Sequence, residues 1–347
     1  MMSQYLQASP LLDVGHPEIQ RLIEKRQWRL LNGSAQIKAV YNFVRDEIVL
    51  GYNVRDDLQA SVVLADGYGQ CNTKAILLMT LFRATGHLCR LKAAWVDKRL
   101  QAGVIPPLVY AFSPARILHT WVEIQHDSRW IGLEGVVVDR PFLTSVQSAN
   151  EGCQGAFCGL AIATPRLDDP PIEWRGSDTH IQHTAIVEEI GTFDMPDDLY
   201  ARHRQALSPI RRFLFEWVVR HWMNRRVAAI RRGKLMPRLL GEAIEAEYRL
   251  AEAKETDGQP IAAFGHLERA HILSQRYTIA HVRSHLRMWA WAWRQRHWRE
   301  LTGQSIRILA AAMFSRIWVP EGNTGGANVS AFRTMPIPDD LRDLMSR

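Results

Sequence analysis

The run at residues 75–82, AILLMTLF, constrains the fold of this chain more than any other stretch. It carries one hydroxyl and no charge, so no face of it suits water, and other parts of the chain must supply a core around it. The run lies within GYGQCNTKAILLMTLFRATGH, where Gly67 and Gly69 precede Cys71 and Gly86 follows. This order predicts a tight loop, a buried helix starting at Cys71 or Asn72, and a glycine stop. A bilayer span needs about 20 residues. The two most apolar runs, 75–82 and 308–314, are eight and seven residues long with Arg or Lys within two positions of each end.

Residues 1–30 show no charged start, apolar core and cleavage site of a secretory leader, so a cytoplasmic location is expected. The four cysteines, Cys71, Cys89, Cys153 and Cys158, are too sparse for a disulfide framework in 347 residues and read as free thiols. That length exceeds one ordinary core and predicts two units.

In the first half, residues 34–49 place Ile37, Val40, Tyr41, Val44 and Ile48 on one helical stripe. Residues 88–96, 119–125 and 129–133 are short, aromatic and branched, and read as strands, with Asp127 and Ser128 as the tight connection between the last two. Glycine and proline between 152 and 171 suggest an extended surface path. From Pro209 a helical pattern returns, with Phe213, Trp217, Val218, Trp222 and Val227 on one apolar side and Gly233 at its end. Further helices are expected over 241–254, 260–275, 278–299 and 301–318. The formal charge of +7 is uneven: residues 202–238 hold eleven Arg and Lys against the single acid Glu216. Contact of Arg211, Arg212, Arg225, Arg226, Arg231 and Arg232 with nucleic acid or an anionic membrane is one use of such a helix. No recognised reading motif accompanies it, and its tryptophans suit interhelical packing, so a solvated face or domain interface is the favoured reading.

The chemistry expected of the first half centres on Cys71. A thiol at a helix N-terminus feels unpaired N–H groups and the positive end of the helix dipole, which favour thiolate. Its own N–H is also placed to hold a developing oxyanion. His119 opens HTWVEI, where alternation puts His119, Trp121 and Glu123 on one strand face. An imidazole accepts and returns protons near neutral pH. Glu134, fifteen residues later, follows the strand RWIGL, and a short hairpin would carry it to the far nitrogen of His119. Asp139, at the end of GVVVD, is a rival for that orienting role. An inert core cysteine and a satisfied core histidine are the structural alternatives.

GYGQCNTKAILLMTLFRATGHLCRL, HTWVEI and RWIGLEG together resemble the transglutaminase-like superfamily over about residues 35–140. The resemblance implies an α+β fold with a papain-like core and a mostly helical C-terminal domain, Cys71 as nucleophile, His119 as base and acid, and a carboxylate third. The family's third residue is usually aspartate after a tryptophan-containing strand. Glu134 stands in that place, one methylene longer. A thiol protease, amidohydrolase or acyltransferase acting on a peptide or amide is implied, against an inactive scaffold mediating protein interaction. The domain reading is 1–200 for this unit with its extension, 201–238 for a basic connecting helix, and 239–347 for a helical domain.

The second half carries Glu268 and His271 three apart, then His281 and His285 four apart, each pair able to share a helix face. With Glu242 or Glu245 these are metal-ligand types in a helical bundle. Short Glu-x-x-His spacings arise readily by chance, so polar faces and packing are the favoured use, and no metal or cofactor is expected. From 242 to 338, FGHLERAHILSQRYTIAHVRSH and NTGGANVS resemble a small bacterial helical family of unknown function, which lends no established activity; a protein partner through this helical domain is the expectation of the scaffold reading. The loop with Asn323, Gly325, Gly326 and Asn328 is expected to cap the bundle, with phosphate or partner binding the alternative.

Overall fold

The computed structural model describes residues 4–205, 208–314 and 320–346. The apolar run becomes the helix Cys71–Ala84, in which every residue from Asn72 to Arg83 is buried. Its surroundings come from the helix Gly33–Asp46, through Ile37, Val40, Tyr41 and Val44, and from one face of a sheet, through Leu91, Leu118, Val122 and Ile124. Full burial of such side chains stabilises by about 1.5–3 kcal/mol each. This core explains why the run tolerates no charge.

The sheet is antiparallel, with the strands Arg129–Gly132, Arg116–His126, Cys89–Asp97 and Ile186–Phe193 side by side in that order. Asp127 and Ser128 connect the first two with φ of 48° and 61°. Two left-handed residues match the twist of a two-residue hairpin and fix its register, His126 opposite Arg129 and Glu123 opposite Gly132. The glycine-rich stretch expected as an extended path forms a small hairpin, Phe157–Gly159 against Ile162–Thr164.

A second core of the same unit joins Val137, Val138, Phe142 and Ile162 to Met223, Val227 and Ile230 of the helix Arg220–Arg231. Of the apolar stripe expected on this helical segment, Trp222 and Val227 pack on the core, while Phe213, Trp217 and Val218 are 61, 66 and 57 % exposed and are corrected. The buried line runs Phe215, Val219, Met223, Val227 and Ile230, an i, i+4 or i+3 series that starts two residues later than Phe213 and passes through the π-helical turn Phe215–Val219 after Pro209–Leu214.

The chain from Met236 onward, with Ala149–Glu151, forms the second compact unit, and the rest belongs to the first. The helices Arg238–Thr256, Pro260–Ser274, Thr278–Arg294 and Trp298–Phe314 supply it, with Ile244, Tyr248, Leu273 and Met288 in its core. The helix expected over 278–299 ends early because Arg296 turns left-handed, at φ 55°, and His297 Nδ1 accepts from Glu300 N at 3.2 Å. Residues 315–318 of the last expected helix lie outside the described residues. Among the described residues no helix is long and apolar enough to cross a membrane.

Asp139 is fully buried and ties three parts of the first unit together. It accepts from Leu50 N at 2.9 Å, from Phe142 N at 3.1 Å, and from Arg231 Nε and Nη2, each at 2.8 Å. Burial opposes its ionisation, and the Arg231 guanidinium overcomes this and holds the carboxyl below its usual range. Asp139→Ala strands Arg231 and two backbone donors, and should cost about 3 kcal/mol in urea unfolding. A loss below about 1 kcal/mol, the range of an exposed pair, would contradict this structural role.

Candidate active site

The loop before Cys71 is shaped by its glycines. Gly67 ends the helix Ala60–Asp66 at φ 68°. A Cβ on Gly69 would lie 2.7 Å from Thr73 Oγ1, so only glycine lets the chain pass this close to the helix it is about to enter. Gln70 N–H donates to Thr73 Oγ1 at 3.1 Å. The Gln70 side chain braces the loop: its Oε1 accepts from Asn53 N at 2.8 Å and its Nε2 donates to Asp56 Oδ1 at 2.9 Å. Cys71 then occupies the first helical position, partly exposed, with Sγ 3.6 Å from Asn72 Oδ1.

Asn72 links this helix to the strand that bears His119. Its Nδ2 donates to Leu118 O at 3.1 Å, and its Oδ1 accepts from Thr120 Oγ1 at 3.1 Å. His119 therefore sits between two residues that the Cys71 helix holds directly. Its ring is stacked on Trp121, with centroids 5.6 Å apart.

His119 and Glu134 are 0 and 1 % exposed, and His119 Nε2 lies 2.8 Å from Glu134 Oε1. The tight hairpin delivers Glu134, and a later segment holds it. Glu134 N donates to Thr179 O at 3.2 Å, Gly135 N to Thr179 Oγ1 at 3.1 Å, and Ile181 N to Glu134 Oε2 at 3.3 Å. His180 Nδ1 is 3.5 Å from the same Oε2. With Nε2–H given to a carboxylate, Nδ1 is the basic nitrogen of a neutral ring. Burial pulls the His119 pKa down, but Cys71 and then Glu134 outweigh it and lift it to about 10. Burial likewise pushes Glu134 up, and hydrogen bonds from His119 and His180 reverse this and bring it to about 2. The arrangement favours an imidazolium paired with a carboxylate over two neutral groups.

Cys71 opens onto a cavity of about 850 Å³. Its walls are mostly apolar, with Tyr52, Ile105, Val109, Phe112, Phe215 and Met223 among them. Asp56 and Tyr200 also line it. Burial raises the Asp56 carboxyl, partly offset by hydrogen bonds from Gln70 and Asn72. Burial, with Asp56 and Cys71 nearby, pushes the Tyr200 phenol well above its ordinary value.

Of the residues singled out from sequence, Cys71, His119 and Glu134 thus stand at one place. Asp139, the rival orienter, is turned to Arg231. Gln70 lines the cavity with its amide committed to Asn53 and Asp56. Sequence reading passed over Asn72, Asp56, His180 and Tyr200. Only Asn72 gave a signal, as a polar residue at the head of an apolar helix; Asp56 and His180 come from loops and Tyr200 from the helix Pro196–Arg202.

A thiol at a helix start, a buried imidazole and a carboxylate on an α+β framework define a papain-like arrangement. Residues 25–134 match the model of the transglutaminase-like superfamily, and residues 239–345 match a family described as a protein of unknown function, DUF3703. No curated protein is significantly similar in sequence. Among solved structures, a protein of Cytophaga hutchinsonii provisionally described as a cysteine protease is similar at 18 % identity and a TM-score of 0.28. That similarity covers 37 % of this chain and 39 % of the other, so the chain spans well under half the length of that relative.

The two shifts give stability opposite dependences on pH. Glu134, lowered from 4.5 to about 2, contributes stability present above pH 4.5 and lost as pH falls through about 2. His119, raised from 6.5 to about 10, contributes stability present below pH 6.5 and lost as pH rises through about 10. Urea midpoints measured across pH should therefore fall on both sides for the wild type. The acid-side slope should flatten in Glu134→Gln and the alkaline-side slope in His119→Gln, whereas curves parallel to wild type would show that the pair is not coupled to folding.

Proposed function

We propose that the first unit is a cysteine-dependent amide or peptide hydrolase or acyltransferase, with Cys71 as nucleophile, His119 as proton carrier and Glu134 as its orienting carboxylate. The observation that carries this reading is His119, buried and lifted to about 10 by Cys71 and Glu134, behind a thiol that opens onto a large cavity. A buried imidazole serving only as core packing would instead be driven toward the neutral form.

The Cys71 thiolate attacks the carbonyl carbon of the amide, forming the C–S bond, while helix-terminal N–H groups face the oxygen that gains charge. The imidazolium of His119 gives its proton to the amine nitrogen as the C–N bond breaks. Water or a second amine then attacks the thioester, His119 takes the incoming proton, and the thiolate leaves. Water yields hydrolysis, and an amine yields transfer. Glu134 keeps the ring in one orientation and compensates its charge in both steps.

The apolar walls favour an acyl or amine portion bearing a bulky aliphatic or aromatic group. In this reading residues 1–200 carry the chemistry. The basic segment 201–238 closes one wall of the cavity through Phe215, Val219 and Met223. Residues 239–347 form a separate helical module that is free to engage a protein partner.

The test is site-resolved mass spectrometry after brief treatment with a mild thiol electrophile near neutral pH, paired with a fluorogenic amide screen biased to apolar substrates. Cys71 should label about tenfold faster than the exposed Cys158, and buried Cys89 should resist. Folded Cys71→Ala and His119→Ala should lose turnover by about 10³-fold. Cys71 labelling that ignores both His119→Ala and Glu134→Gln, or turnover unchanged in the folded variants, would reject the enzyme reading and favour an inactive scaffold.

A further inference from the structure

Three histidines of the second unit meet in its core, and the protons they carry can be counted. His271 lies on the helix Pro260–Ser274, and His281 and His285 lie on Thr278–Arg294. All three are buried. His271 Nε2 stands 2.8 Å from His281 Nε2 and 3.2 Å from His285 Nε2, and one nitrogen from each ring lies within 4.8 Å of the others.

Partners on the outer side of two rings fix their tautomers. His271 Nδ1 is 3.0 Å from the Asn323 carbonyl oxygen, which only accepts, so that nitrogen carries the proton and Nε2 of the neutral ring is a bare lone pair. His285 Nδ1 is 2.7 Å from Gln304 Oε1. The Gln304 amide cannot be turned over, because its Nε2 donates to Glu300 Oε1 at 2.6 Å and to Gly325 O at 2.8 Å. His285 Nε2 is therefore also a lone pair. Two lone pairs thus face each other at 3.2 Å, with His281 Nε2 2.8 Å from one of them, so the three rings turn nitrogen atoms toward one point.

A metal ion accepts such converging imidazole lone pairs directly. Bonds of about 2.0–2.1 Å in tetrahedral geometry separate neighbouring nitrogens by about 3.3 Å, close to the 2.8 and 3.2 Å of the two pairs that include His271. Outer carbonyls that fix the tautomer of each ligand are the usual support of metal-bound histidine. The loop is fitted to this arrangement: a Cβ on Gly325, at φ 80°, would fall 2.7 Å from His271 Cδ2.

We propose that His271, His281 and His285 bind a single borderline transition-metal ion such as Zn(II) through three imidazole Nε2 atoms, leaving the fourth position to a small ligand. Hard cations such as magnesium or calcium prefer oxygen and are not matched by this donor set. Of the carboxylates that sequence spacing offered, Glu268 is not among the atoms that converge with the three rings, Glu242 pairs with Arg238 at 2.7 Å, and Glu245 pairs with Arg283.

The test uses the full chain, stripped with a chelator and titrated with Co(II) and then Zn(II). One equivalent of cobalt should give the intense visible bands of a tetrahedral site, and zinc should abolish them. His281→Gln and His285→Gln should each weaken binding by at least about 100-fold, and Gln304→Leu by about 10- to 100-fold. His180→Ala and Cys71→Ala should leave binding unchanged, which separates this site from the group around Glu134. Imidazole nitrogen resonances of the wild type keep the question open to refutation if a variant fails to fold: zinc should move the Nε2 signals and leave two Nδ1 atoms protonated. No cobalt bands, equal binding by both folded histidine variants, or unmoved Nε2 signals at saturating zinc would overturn the site.

Discussion

The hydrogen bond between His119 Nε2 and Glu134 Oε1 makes a charged imidazole tolerable in the dry interior of the first unit. An isolated imidazolium there would shed its proton, and an isolated carboxylate would take one up. Each of the two is held charged by the other, so removing one changes the protonation of its partner. Much of the unit serves that contact. Asn72 clamps the His119 strand to the Cys71 helix, the hairpin brings Glu134 round, and Thr179 to Ile181 bind the backbone and carboxylate of Glu134 from a distant stretch of chain.

The second unit treats buried histidine in the opposite way. The outer partners of His271 and His285 are a carbonyl and an amide oxygen, where His119 has a carboxylate. A neutral oxygen fixes the tautomer without compensating a charge, so burial wins and the rings stay neutral. One side chain type thus becomes an acid–base group in one core and a lone-pair donor in the other, according to what accepts its Nδ1–H or Nε2–H.

Features governed by neighbours along the chain were legible in the sequence. The buried helix, its glycine entry, the strand pair and the carriage of Glu134 toward His119 all follow from local pattern and short spacing. Asp139 could not be separated from Glu134 that way, because its partner Arg231 lies far along the chain. The same holds for Tyr200 in the cavity wall. The start of the helix after Pro209 misled for another reason: its apolar residues fit two helical lines, and the one through Phe215 and Val219 is buried while Phe213 and Trp217 are exposed. Among the histidines, spacing showed which could share a helix face, but the convergence of two helices and the Asn323 loop is a tertiary fact.

The two-residue turn at Asp127 and Ser128 also limits how this chain can change over time. Side chains alternate along a strand, so one residue gained or lost in the hairpin would reverse the faces of everything up to Glu134 and carry its carboxylate away from the ring. Insertions in the turn at 152–156 would disturb neither strand. Descendants of this sequence that keep the chemistry should therefore vary freely in length there, while the interval from His119 to Glu134 stays the same.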